Sequence, residues 1–105
     1  MNTMTKVPDL DPEKIFDEVS TLADLARALA VCGGQHERKL TFVELMREQG
    51  EMKIRLAEEF GPGSEREFAG FASVHPALAQ RADVCNLAFN PAFAVAAVRA
   101  MRSVK

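Results

Sequence analysis

Residues 91–102, Pro-Ala-Phe-Ala-Val-Ala-Ala-Val-Arg-Ala-Met-Arg, offer a helix no polar face until Arg99 and Arg102. A helix apolar on all sides has to be covered on most of them, by the rest of its own chain or by a second subunit or partner. Its alanines permit close helix approach in either case. Asn90 before Pro91 supplies the start, a capping side chain followed by a proline whose missing N–H costs nothing in a first turn. The two arginines fall where cations meet the negative end of the helix dipole. The chain must therefore build a jacket around this segment. If the jacket is incomplete, Phe93, Val95, Val98 and Met101 form a candidate apolar interface.

The remaining sequence supplies the helices for that jacket. Asp11-Pro12-Glu13 combines a cap, a first-turn proline and an acid at the positive helix end, and Ile15, Val19, Leu22, Ala26 and Leu29 follow at helical spacing. Gly33-Gly34 closes this helix, predicted over 12–32. Thr41 and Glu44 form a capping-box pattern, with Leu40 and Leu45 at the staple positions, and open a helix over 42–60. Phe42, Leu45, Met46, Met52, Leu56, Ala57 and Phe60 make its broad apolar stripe. Arg47 with Glu51 and Glu51 with Arg55 stand at i,i+4, and Gly50 is the place where the helix would kink or split. Gly61-Pro62-Gly63 breaks the chain, and Ser64 with Glu67 repeats the box before a helix over 65–73. His75-Pro76 starts a fourth helix over 76–89. The expected fold is all-α, a compact bundle of about five helices over 12–32, 42–60, 65–73, 76–89 and 91–102. Residues 11–105 read as one helical domain behind a loose N-terminal tail, 1–10.

Charge and composition narrow the function classes. The chain has 105 residues, 48% of them hydrophobic, and a net charge of −2. That gives no basic field for a phosphate backbone, so non-specific nucleic-acid binding is disfavoured. No secretory h-region opens the sequence, and no apolar run is long enough for a bilayer, so no membrane role and a cytoplasmic location are expected. Cys32 and Cys85 then read as reduced, buried thiols, with a 32–85 disulfide the lesser alternative. With no Trp and no Tyr, stacking of bases or sugars falls to seven Phe on core-facing stripes.

The stretch Cys32-Gly33-Gly34-Gln35-His36-Glu37-Arg38-Lys39 gathers the most chemistry. A Cys32 nucleophile with His36 as base is opposed by the helix C-terminus at Cys32, whose partial negative charge raises a thiol pKa. Gln35, His36, Arg38 and Lys39 form a candidate polar binding loop for an anion near the start of the next helix, although no phosphate-loop spacing is present. Gly33-Gly34-Gln35-His36 with Lys39 resembles the tripeptide loop of peptide-chain release factors over about seven residues. That family's downstream Ser-Ala-Val-Arg is replaced here by Leu40-Thr41-Phe42-Val43, and its basic, strand-flanked context is absent. Leu22 to Val31 resembles the first half of a repressor-type helix-turn-helix, with Thr21 able to cap a separate helix. The second half does not follow, and the same motif laid over 42–59 puts Met46 in its small-residue position. Cys32, His36, His75 and Cys85 lack zinc spacing, and Lys14 replaces the glycine a calcium loop needs after Asp9, Asp11 and Glu13.

No catalytic set emerges, and neither a cofactor nor a metal is expected. The sequence reads as a non-enzymatic protein-interaction module, an adaptor, regulator or inhibitor that binds a protein partner or itself as a homodimer. The alternatives are a DNA-binding regulator using residues 21–40 and, third, an anion- or ligand-binding protein using the 33–40 loop.

Overall fold

Ser20 and Thr21 split the first expected helix in two. The computed structural model describes residues 11–33 and 41–103. Helix α1, Pro12–Asp17, starts where Asp11 Oδ1 accepts the Glu13 N–H at 3.1 Å. Helix α2, Leu22–Gly33, starts with a capping box in which aspartate replaces the usual glutamate. Thr21 Oγ1 accepts the Asp24 N–H at 3.1 Å, and Asp24 Oδ2 accepts from the Thr21 and Ser20 N–H groups at 3.3 Å each. These local bonds give the backbone at 18–21 an alternative to helix, so the continuous 12–32 helix is corrected to a bent pair.

The same bonds predict an acid response. The Ser20 N–H, ahead of the opposing effect of partial desolvation, and then the Thr21 and Ser20 hydroxyls and Arg27 hold the Asp24 carboxyl below its usual 3.8. A carboxyl depressed on folding contributes stability above its unfolded value, and that contribution is lost as pH falls through the lower folded value. An NMR titration should place the Asp24 midpoint below 3.8. The Asp24→Asn variant should lose less stability than the wild type between roughly pH 5 and pH 2, and equal losses would contradict the capping role.

Helix α3, Phe42–Phe60, has the expected capping box, with Glu44 N–H on Thr41 Oγ1 at 3.1 Å and Thr41 N–H on Glu44 Oε1 at 2.9 Å. It runs unbroken for 19 residues, so Gly50 neither kinks nor splits it. A Cβ at Gly50 would meet nothing within 4 Å. Gly50→Ala should therefore stabilise the protein by about 0.8–1 kcal/mol in urea melts at low concentration, and a loss of stability would show an unseen constraint. The helix ends at Gly61 and Gly63, whose φ of 93° and 90° suit glycine.

The expected 65–73 helix is two short segments, α4, Ser64–Ala69, and α5, Phe71–Val74, pausing at Gly70. Ser64 is not the cap. It is buried in the first turn behind Gly63, and no side-chain bond closes the start. Glu67 instead binds Arg102 through two bonds of 3.0 and 2.9 Å, which depresses the Glu67 carboxyl and raises the Arg102 guanidinium. Helix α6, Pro76–Val84, stops five residues before the expected end at 89. Asn86 takes a φ of 60°, Leu87 N–H reaches Ala82 O at 2.7 Å and Asn86 N–H reaches Asp83 O at 3.0 Å. That is a Schellman closure with asparagine in the position glycine usually holds. Asn90 then caps α7, Pro91–Arg102, by accepting from Ala92 and Phe93 N–H groups at 2.9 and 3.2 Å.

Helix α7 is the axis of an all-α bundle with no strand among the described residues, and it packs against α1, α2, α3, α4 and α5. One side, with Phe93, Ala96, Ala97 and Ala100, joins Phe16, Leu25, Leu29 and Phe71 in the larger core. The other side, Ala94, Val95 and Val98, packs on Met52 and Leu56 of α3. No helix among the described residues is long and apolar enough to cross a membrane.

Candidate interaction surface

The jacket around α7 is complete where it matters. Phe93, Val95 and Val98 are buried, and Met101 is half-buried against both core clusters. The interface expected on α7 is corrected on this point: its large side chains are enclosed by the chain itself. The candidate polar loop, Gln35, His36, Arg38 and Lys39, lies outside the described residues, as does the second half of the helix-turn-helix expected at 21–40. Cys32 and Cys85 are free and buried in one core cluster. Burial, and then the neighbouring Cys85, pushes the Cys32 thiol up, which makes it a poor nucleophile at neutral pH. His75 is half-buried with its ring centroid 5.6 Å from that of Phe71. No group of three or more His, Cys, Asp or Glu stands together as metal ligands among the described residues.

The exposed apolar surface lies on α3. Only Met52 and Leu56 of this helix are buried, both in its C-terminal half. Phe42, Val43, Met46 and Ile54 are 76, 64, 52 and 60% exposed. At 3.6 residues per turn Val43, Met46, Gly50, Ile54 and Ala57 fall within one sector of about 80°, opposite Met52 and Leu56. Helix α3 thus carries two apolar stripes, one on the core and one in solvent. The single broad stripe expected from the sequence is corrected here: Phe42, Met46 and Ala57 point away from α7. Scattered exposed apolar residues such as Val31, Val74 and Val84 need no explanation, whereas four large ones along one helix form a contiguous surface. Covering each of them is worth on the order of 1.5 kcal/mol.

Charges border this stripe. On one side Lys53 lies 3.9 Å from Glu65 of α4. On the other, Arg55 forms an ion pair with Glu13 of α1 rather than with Glu51. The side chains of Arg47 and Glu51, four residues apart and both exposed, have no ion-pair or hydrogen-bond partner among the described residues. The α3 end is anchored independently, with the Arg102 guanidinium 4.8 Å over the Phe60 ring. A separate hollow of about 290 Å³ between α4, α5, α6 and α7 is lined by Phe68, Phe71, Phe93 and alanines, with Asp83 its one charged residue. Its volume is at the lower limit for a small-molecule site.

The signal for the outer stripe is present in the sequence as the spacing Val43, Met46, Gly50, Ile54, Ala57. It is masked by the stronger stripe on the same helix. No protein-family model, curated protein or solved structure matches the chain.

Proposed function

We propose that this chain is a non-catalytic protein-interaction module, an adaptor, regulator or inhibitor, that docks a helix of its partner along the outer face of α3. The observation that supports the reading is the pair of apolar faces on α3, one held by α7 and one left in solvent over Val43, Met46 and Ile54. An amphipathic helix laid in such a place buries apolar side chains at i, i+3, i+4 and i+7, the common mode of helix recognition. A cytoplasmic setting belongs to the reading, since Cys32 and Cys85 act as small apolar core residues. The exposed stripe is neutral in charge at its centre, which favours a protein over nucleic acid.

The test compares the immobilised wild type with Ile54→Asp in nuclease-treated lysate of the source cells. Ile54 is exposed, so the variant should keep the wild-type circular dichroism and melting temperature. Proteins retained by the wild type and lost from Ile54→Asp are the expected result. Retention that is the same for both would overturn the docking role of this face.

A further inference from the structure

We propose that the outer face of α3 binds the same face of a second copy of this chain, with the two helices antiparallel and crossing at Gly50. This rests on the docking role of the face argued above and names its occupant. A two-fold axis at Gly50 sets position 43 opposite 57 and position 46 opposite 54. Val43 then meets Ala57, Met46 meets Ile54, and glycine meets glycine, each contact occurring twice as a self-complementary interface requires. Val43 and Ile54 are eleven residues apart, as are Met46 and Ala57, which is three helical turns. The seam therefore runs nearly straight along the helix.

Gly50 gains a reason in this arrangement. It sits mid-helix, where glycine weakens the helix, and nothing in its own chain lies within 4 Å of where a side chain would begin. A crossing point needs a small residue if the two axes are to come close.

Arg47 and Glu51, at the centre of one flank and without a partner among the described residues, favour one orientation. In an antiparallel two-fold pair the same flanks of the two helices face each other. Arg47 of one copy then lies about 3 Å along the axis from Glu51 of the other. At its centre the flank reads Arg47, Glu51, Glu51, Arg47 across the two copies, so each Glu51 has a guanidinium beyond it, while toward each end Glu58 comes about 3 Å along the axis from Glu44 of the other copy. A parallel pair would instead bring Glu51 to Lys53, which Glu65 of its own chain already holds. Antiparallel packing also sets the two helix dipoles in opposition.

Sedimentation equilibrium on the full chain, from roughly 10 µM to 1 mM, tests the proposal. The wild type should show a monomer–dimer equilibrium, abolished by Ile54→Asp. Arg47→Glu and Glu51→Arg should each weaken the dimer about five- to tenfold, and the double variant should recover to within about twofold of the wild type. Mixing the two single variants should yield a heterodimer tighter than either homodimer. Circular dichroism of each variant separates lost pairing from lost folding. A monomer throughout this range, a dimer indifferent to Ile54→Asp, or a double variant no better than the singles would overturn the pairing. A monomeric chain from which Ile54→Asp still releases captured proteins would overturn the pairing alone and leave the docking role standing.

Discussion

Phe93→Ala should cost about 3–5 kcal/mol, the largest single loss expected in this protein. Phe93 is 1% exposed, and its ring meets Phe16, Phe68 and Phe71 edge to face with centroids 5.7, 5.9 and 5.8 Å apart. Each such pair is worth about 0.5–1.5 kcal/mol beyond the apolar area it buries. Truncation removes all three contacts and opens a void at the point where α1, α4, α5 and α7 meet. For a domain with about 5–15 kcal/mol of total stability, the melting temperature should fall by roughly 15 °C or more. Phe42→Ala provides the comparison, since Phe42 is 76% exposed and its loss should change stability by less than about 0.5 kcal/mol. Similar losses for the two variants in urea melts would contradict the enclosure of α7.

Arg99 carries the second large effect. Its Nη1 donates to the carbonyl oxygens of Val19, Asp17 and Phe16 at 2.8, 3.3 and 3.4 Å. Phe16 O also accepts the Val19 N–H at 3.1 Å, whereas the Asp17 and Val19 carbonyls lie where α1 has ended and the helical ladder no longer supplies N–H groups. One guanidinium thus closes a helix formed some 80 residues earlier, and ties it to α7. Arg99→Met should cost about 2–3 kcal/mol, because charged hydrogen bonds are lost and the partly buried Val19 carbonyl is left without a donor. Arg99→Lys should recover a substantial part of this, since an ammonium also brings several N–H groups to one nitrogen. Hydrogen exchange should show the α1 amides opening first in Arg99→Met. Equal stability of the Lys and Met variants would mean that the apolar stem of Arg99 matters and its hydrogen bonds do not.

The sequence was most legible where the deciding contacts are local. The starts at Asp11, Thr41 and Asn90 follow from side-chain oxygens that reach N–H groups two or three residues on. The break at Ser20-Thr21 has the same kind of cause, but with aspartate in the box position it is overridden in the pattern by apolar spacing that continues from Val19 into Leu22. Asn86 ends α6 in the left-handed conformation that a search for glycine passes over. Ser64 fails as a cap because α4 begins one residue early: Gly63 takes the cap position in the left-handed conformation and Ser64 lies buried in the first turn.

The surface was harder to read for a related reason. Helical periodicity tells which residues share a face, and it is silent on which neighbour covers that face. The sequence makes α7 apolar on all sides and gives α3 one broad apolar stripe. Five neighbouring helices consume the surface of α7, while α7 reaches only one side of α3. Val43 and Ile54, and not Val95 and Val98, are therefore the side chains left in solvent.

Methyl NMR of the wild-type chain tests most directly whether the outer face of α3 meets a second copy. Spectra recorded as the protein is concentrated should show the Val43, Met46 and Ile54 methyl signals shifting together, with Val95 and Val98 unmoved. Concentration-dependent shifts at Val95 and Val98, or no shift on α3 up to roughly 1 mM, would contradict a docking face on α3 that is shared between copies.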